Sequence, residues 1–291
     1  MEITRDILDD WCLLQEIDVD KLTEARLQLH HAAQIVAAMG KYLLPAQPDD
    51  SHTNMEWSSE FQALVGGEIN GKNTLRGGLR LRDLTVLLID ESDDTLQEFP
   101  LENTKIDDTF FQVKESLAAN DLDTSDFSLK MHYEIPHHAI ADGQPFRLDP
   151  KDAFVELARY YGNIALLLEQ LVKETPNTSE IRCWPHHFDI ATLITVEENE
   201  DPEKAKTIGV GLSPGDGSYA MPYVYVMPWP FPKPESLDLP ELAGDGNWHT
   251  EGWFGAALPA NKIEKGDDVE KQARQFSEFI SSAVAESRKF L

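Results

Sequence analysis

Four stretches of the chain carry apolar residues at helical spacing. The predicted helices cover about residues 20–44, 106–119, 149–172 and 267–289. The first stops before Pro45, which cannot continue a helix. Another opens with Asp149, a residue type that caps free N–H groups, and Pro150, which suits the first helical position. The last opens at Asp267 and places its apolar residues on one face, as expected of a helix that packs on a core.

Runs rich in β-branched and aromatic residues predict strands between these helices. The predicted strands cover residues 61–65, 75–81, 84–89, 181–196, 207–212, 223–226 and 253–258. Turn signals such as Gly66-Gly67 and Asn70-Gly71 separate them. Because runs of strands are flanked by helices without strict strand–helix alternation, we predict an α+β fold in which helices pack on antiparallel sheet.

The order helix, strands, helix occurs twice along the chain. A Trp-x-x-x-Phe motif that begins at Trp57 returns at Trp184, and each copy follows a long predicted helix by a short connection. The pattern predicts a single domain over residues 1–291 with two similar halves, at 20–120 and 149–291. A chance coincidence of two aromatic-rich first strands is the alternative, because the shared motif is short.

The composition is acidic: 25 Lys+Arg and 52 Asp+Glu give a formal net charge of −27 at pH 7. A charge this negative repels phosphate backbones and anionic membrane surfaces, so we expect neither a nucleic-acid nor a membrane partner. Cys12 and Cys183 form no CxxC pair, which fits a reducing compartment. Since no signal-peptide pattern or run of about 18 apolar residues occurs, we expect a soluble cytoplasmic protein. A chain of this length needs no cofactor for a stable core, and none is predicted.

The densest chemical segment is Trp184-Pro185-His186-His187-Phe188-Asp189, at the start of a predicted strand. Alternate residues of a strand share a face, so His187 and Asp189 are expected to point the same way. A histidine and a carboxylate on one face can begin a metal site or an acid–base pair. A hydrogen-bonded strand entry without chemistry is the alternative. Further groups would have to come from Asp216, Tyr223, His249 or Glu251.

Two other patterns have a chemical interpretation. Residues 211–215 match the GxSxG pattern of a hydrolase nucleophile, but Pro214 follows the serine and lacks the N–H that an oxyanion hole needs, so we predict a turn. Tyr223 and Tyr225 share one face of a predicted strand, which suits the lining of a small-molecule pocket as well as core packing. The pairs at 30–31 and 137–138 are interpreted as surface, core-edge or loop histidines.

Four short motifs resemble a group of uncharacterised bacterial proteins that contain a domain of unknown function. They are WPxHFD from Trp184, SPGD from Ser213, PYxYV from Pro222 and WFGAA from Trp253. The chain departs from that group at His186, where an acidic residue is common, and at Met221, where the group has Glu. The resemblance implies no activity. It does imply that five residues belong to one recurring constellation: His187, Asp189, Ser213, Asp216 and Tyr223.

Three functions follow as hypotheses, and the sequence indicates no oligomeric state. The leading one is a small-molecule-binding protein with an aromatic, His/Asp-containing cleft. Its apolar contacts would come from Tyr223, Tyr225 and Trp253, and its polar contacts from His187, Asp189 and Asp216. The first alternative is a metal-assisted hydrolase in which His187, Asp189 and His249 hold a divalent metal and Asp216 or Glu251 activates water. The second is a non-catalytic protein that meets a basic partner with its acidic surface.

Overall fold

Helices and antiparallel strands make up the fold in the computed structural model, which describes residues 1–201, 204–233 and 238–291. The helices in this part of the chain are α1 (Arg5–Asp10), α2 (Val19–Leu43), α3 (Ile106–Ala119), α4 (Lys151–Glu174) and α5 (Val269–Ser287). The first six strands are β1 (Met55–Ser58), β2 (Ala63–Gly66), β3 (Ile69–Asn70), β4 (Thr74–Arg80), β5 (Thr85–Asp90) and β6 (Thr95–Pro100). The other six are β7 (Arg182–Trp184), β8 (Asp189–Glu197), β9 (Lys206–Ser213), β10 (Tyr223–Trp229), β11 (Asn247–His249) and β12 (Gly255–Pro259). The predicted α+β fold with antiparallel sheet is confirmed.

The chain divides into two compact units that are interleaved in sequence. Unit 1 consists of Met1–Glu16, Arg159–Ile181 and Asp189–Leu291, and unit 2 of Ile17–Ala158 and Arg182–Phe188. Within unit 2 the strand order is β7-β1-β2-β4-β5-β6, with β3 paired to β4. Within unit 1 the order is β8-β9-β10-β12-β11. The two similar halves expected from the sequence stay a prediction.

In unit 2, helix α2 is buried along most of its length because it packs against β2, β4, β5 and α3. It begins behind Asp18, whose side chain accepts hydrogen bonds from the backbone N–H groups of Asp20 and Lys21. The buried residues include four polar side chains in the middle of the helix: Gln28, His30, His31 and Gln34. Buried polar groups require hydrogen-bond partners, so these residues mark places where other segments are attached to α2.

In unit 1, helix α5 packs against β9, β10 and β12. One face of these strands is aliphatic and fully buried, with residues such as Val210, Val224 and Leu258. The N-terminal segment belongs to the same unit. The indole Nε1 of Trp11 donates to Oε1 of Gln272 on α5 at 3.0 Å, and the side chain of Asn163 on α4 bonds both backbone groups of Cys12.

The prediction of one continuous strand over residues 181–196 is wrong. Strand β7 ends at Trp184, and a four-residue turn precedes β8, in which Phe188 has a φ of 57° and donates its N–H to the Trp184 carbonyl at 2.7 Å. Helix α2 holds the turn, because the Pro185 carbonyl accepts hydrogen bonds from Nε2 of His30 at 2.9 Å and Nε2 of Gln34 at 3.0 Å. His187 and Asp189 therefore do not alternate along one strand.

The other boundaries agree with the predictions to within a few residues, apart from strands that carry no clear pattern. Strands β1, β3, β6 and β11 and the short helix α1 lie outside the predicted elements. In the described residues, no helix is both long enough and apolar enough to cross a membrane.

Candidate functional site

The predicted tyrosine pair lies on one face of the unit 1 sheet. Tyr223 is opposite Ser213, Tyr225 is opposite Gly211, and Met227 is opposite Gly209. Because side chains alternate along a strand, these residues turn away from the aliphatic face. We call this surface the tyrosine face and define it by Asp189, Ala191, Leu193, Gly209, Gly211, Ser213, Tyr223, Tyr225, Met227 and Ala257.

Two tyrosine–aspartate hydrogen bonds lie side by side on the tyrosine face. The Tyr225 hydroxyl donates to Oδ2 of Asp189 at 2.5 Å, and the Tyr223 hydroxyl donates to Oδ2 of Asp216 at 2.6 Å. The two tyrosine rings are 6.2 Å apart. Burial, reinforced by the Asp216 carboxylate, raises the pKa of Tyr223 above its ordinary value, so its hydroxyl stays protonated and keeps donating.

Two glycines of β9 determine how much space lies above the tyrosine face. A Cβ atom on Gly211 would lie 2.6 Å from the Ile190 carbonyl oxygen and 2.8 Å from the Tyr225 hydroxyl, so the absent side chain makes room for that hydroxyl. A Cβ atom on Gly209 would meet only ordinary contacts, at 3.8 Å and 3.9 Å. Gly209 pairs with Leu193 on one side and Met227 on the other. Gly209 is partly exposed, and we call this position the Gly209 trough.

A tight turn after β9 carries a third tyrosine to the site. Oδ1 of Asp216 accepts the backbone N–H groups of Ser218 at 2.7 Å and Tyr219 at 3.1 Å. The Tyr219 ring then lies 4.8 Å from the Tyr223 ring. One carboxylate thus fixes both the turn and the Tyr223 hydroxyl.

A histidine–tryptophan stack borders the three tyrosines. The rings of His249 and Trp253 lie 4.2 Å apart at an interplanar angle of 23°, and the Trp253 indole N–H donates to Oγ of Ser218 at 3.2 Å. Nε2 of His249 is 2.6 Å from the Glu251 carbonyl, and Nδ1 is 3.2 Å from the Tyr219 hydroxyl. Since a carbonyl only accepts, Nε2 carries the proton and Nδ1 accepts from Tyr219. Both nitrogens of His249 are occupied.

Most of the predicted site residues come together in unit 1, and His187 does not join them. His187 belongs to unit 2, is exposed, and has its ring 4.3 Å from that of His186. Ser213 is buried and lies in the site: its Oγ accepts the N–H of Gly215 at 3.2 Å, a turn contact, and its side chain is also hydrogen-bonded to Tyr223. This agrees with the prediction of a turn in place of a nucleophile.

The described residues contain no group of three or more His, Cys, Asp or Glu side chains that could hold a metal ion. The set proposed from the sequence, His187, Asp189 and His249, is therefore not assembled. This arrangement gives the metal-assisted hydrolase no support.

Sequence reasoning missed a polar cluster on α2. Burial lowers the pKa of His30 to about 4, and its ring stacks on Phe188 with centroids 5.2 Å apart. Nε2 of His31 is 3.1 Å from the Pro136 carbonyl, and the Tyr133 hydroxyl donates to Oε1 of Gln34 at 2.9 Å. His-His-x-x-Gln within an otherwise apolar helix was the available signal. The contacts identify a structural cluster that attaches two loops to α2.

The residues that shape the site were also missed. Gly209 and Gly211 form a Gly-x-Gly run opposite the Tyr-x-Tyr run of β10, and Tyr219 lies in the intervening loop. The glycines lie opposite the tyrosines only because of the register between β9 and β10, and sequence spacing alone does not determine that register.

Comparisons with known proteins leave this geometry as the guide to function, because no protein-family model, curated protein or solved structure matches the chain.

Proposed function

We propose that the protein binds a small organic molecule on the tyrosine face, with the apolar part of the ligand in the Gly209 trough. The observation that carries the proposal is the partly exposed Gly209 position, which has room for a side chain between Leu193 and Met227 and beside the Tyr225 ring. Leu193 is 43% exposed although it lies on this face. Small-molecule sites commonly combine such apolar walls with a few placed polar groups.

The polar groups of the proposed site are held in place before any ligand arrives. Tyr225 fixes the Asp189 carboxylate, while Tyr223 and two backbone N–H groups fix the Asp216 carboxylate. A carboxylate has about four lone-pair directions, so the exposed Asp216 carboxylate can accept a further hydrogen bond from a ligand. Groups that are already ordered lose little conformational entropy on binding, which favours affinity.

A substitution that fills the trough tests the proposal. A thermal-shift screen against small metabolites supplies ligands, and isothermal titration calorimetry measures their affinity for the wild type and for Gly209→Val. Valine suits a strand, and the surroundings of Gly209 leave space for its Cβ, so we expect the variant to fold and to lose binding.

Thr207→Val is the matched control. It places the same β-branched side chain on the same face of β9, two residues away, and leaves the trough open. Binding should survive in this variant. Ligands that bind Gly209→Val as tightly as the wild type would contradict the proposal.

We also propose a cytoplasmic location. Neither exposed Cys12 nor buried Cys183 is in a disulfide, and reduced cysteines persist in reducing compartments. Fractionation of cells that make the protein, with markers for each compartment, tests this. Recovery outside the cytoplasmic fraction would contradict it.

A further inference from the structure

We infer that the ligand of the tyrosine face carries a planar aromatic ring, which lies on Gly209 beside Met227 as the Trp253 ring lies on Gly255. This inference rests on the proposed function and specifies its ligand class. Three observations support it: a ring of the chain already covers the neighbouring glycine of this face, the equivalent space at Gly209 is unfilled by the described residues, and the side chains around it are apolar and exposed.

The chain itself places an aromatic ring on a glycine of the tyrosine face. Met227 is opposite Gly209 on β9, and the register of β10 and β12 brings Gly255 to its other side. Gly255 lies two residues before Ala257 and therefore belongs to the same face. A Cβ atom on Gly255 would lie 2.7 Å from Cζ3 and 3.2 Å from Cε3 of Trp253. The six-membered ring of the indole thus occupies the space that a side chain would take.

The equivalent space at Gly209 is not taken by any residue that the structure describes. Within 4 Å of its Cβ position lie only the Met227 carbonyl oxygen, at 3.8 Å, and atom Cε2 at the edge of the Tyr225 ring, at 3.9 Å. Gly209 is also partly exposed, so a ligand can reach it from solvent. A space that the protein fills with a ring at one glycine is therefore available to the ring of a ligand at the other.

The surroundings of Gly209 suit a flat apolar ring. Leu193 borders the glycine on β8, and Trp229 lies two positions from Met227 on the same face of β10; both side chains are 43% exposed. Because glycine leaves the peptide planes of β9 uncovered, a planar ring can contact them with every ring atom. The sulfur of a methionine also makes favourable contacts with aromatic rings, and a saturated ligand does not receive them.

Matched ligands separate ring planarity from apolar area. The probes are benzyl alcohol and phenethyl alcohol, each paired with its cyclohexyl counterpart, and NMR titrations with the full chain give their affinities. A saturated ring is puckered and presents more apolar surface, so a site that responds to area alone would prefer the cyclohexyl compounds. We expect the opposite order, with each phenyl compound bound at least about threefold more tightly than its partner.

Met227→Leu tests the position of the ring. Leucine keeps an apolar wall of similar volume but lacks the sulfur. The phenyl compounds should therefore lose about two- to tenfold in affinity, while the cyclohexyl compounds change little. Met131→Leu makes the same change in unit 2 and should leave all affinities unchanged. A phenyl preference that is the same in Met227→Leu as in the wild type would overturn the inference.

The outcomes distinguish this inference from the proposed function. Compounds of the metabolite screen that lose binding in Gly209→Val should carry an aromatic ring. If they carry none, or if the cyclohexyl compounds bind as tightly as their phenyl partners and lose affinity in that variant, the trough is a binding site and the aromatic assignment is wrong. If no compound of the screen or of this panel shows binding that Gly209→Val removes, both fall.

Discussion

Gly209 and Gly211 occupy equivalent positions on β9, yet their surroundings predict opposite responses to the same substitution. In Gly211→Ala the new Cβ would press on the Ile190 carbonyl and the Tyr225 hydroxyl, both closer than 3 Å. Overpacking of this kind costs about 1–3 kcal/mol of unfolding free energy. Gly209→Ala should change it little, because its Cβ makes only ordinary contacts. Urea unfolding of both variants measures the difference. Equal stabilities would show that β9 adjusts to the methyl group.

His30 predicts a loss of stability in acid. Burial lowers its pKa in the folded protein to about 4 from an ordinary value of 6.5. The unfolded chain therefore binds the proton first, and the stabilising contribution, complete above about pH 6.5, is lost as the pH falls toward 4. This displacement corresponds to about 3 kcal/mol. Burial also lowers the pKa of His31, which acts in the same direction.

The His30→Gln variant isolates this contribution, because glutamine presents an Nε2–H donor for the Pro185 carbonyl and does not titrate. Urea unfolding between about pH 7 and pH 4 should show a shallower loss of stability in this variant than in the wild type. His137→Gln removes an exposed histidine and should follow the wild type. Parallel curves for all three proteins would contradict the role assigned to His30.

At the scale of elements, the turn after β9 depends on one carboxylate. Asp216→Ala removes the acceptor of two backbone N–H groups and of the Tyr223 hydroxyl. Because Tyr223 is buried, we expect a loss of about 1–3 kcal/mol of unfolding free energy. Hydrogen exchange at the amides of Ser218 and Tyr219 should become faster. Glu198→Ala, an exposed loss of charge, should alter neither, and slow exchange in Asp216→Ala would contradict this account of the turn.

The elements that sequence reasoning predicted are those with a strong pattern of their own. Helix α3 was predicted at about 106–119 and spans Ile106–Ala119, because its apolar face is periodic. Strand β6 was missed because most of Thr95–Pro100 is exposed and shows no alternation. The turn between Trp184 and Asp189 was missed because contacts from α2, distant in sequence, hold it.

The candidate site was predictable only where it depends on a local sequence pattern. Tyr223 and Tyr225 share a face because strand alternation is local. Two other features depend on how β8, β9 and β10 are arranged: Tyr225 lies opposite Gly211, and the Tyr225 hydroxyl donates to Asp189. His187 was misplaced because a left-handed φ at Phe188, which non-glycine residues seldom adopt, interrupts the strand.

At the scale of the whole molecule, the net charge of −27 predicts that salt stabilises the fold. Charges of one sign repel more strongly in the compact state than in the unfolded chain. Raising the ionic strength from about 0.01 M to 0.15 M shortens the screening length from about 30 Å to 8 Å. The melting temperature should therefore rise with NaCl near pH 7. It should respond less near pH 4.5, the isoelectric point of the sequence. A melting temperature that does not change with NaCl concentration near pH 7 would show that the charges are locally balanced.

Because the two units are interleaved in sequence, the segments of unit 1 are synthesised at widely separated times. Trp11 and its partner Gln272 are 261 positions apart in the chain, so the N-terminal segment of unit 1 leaves the ribosome long before α5 exists. At about 5–20 residues per second, that segment waits on the order of tens of seconds with its apolar side chains uncovered. We therefore expect the nascent chain to be open to chaperone binding throughout that interval. A stalled or truncated product that lacks α5 leaves the same side chains uncovered for good, and quality control can recognise it there.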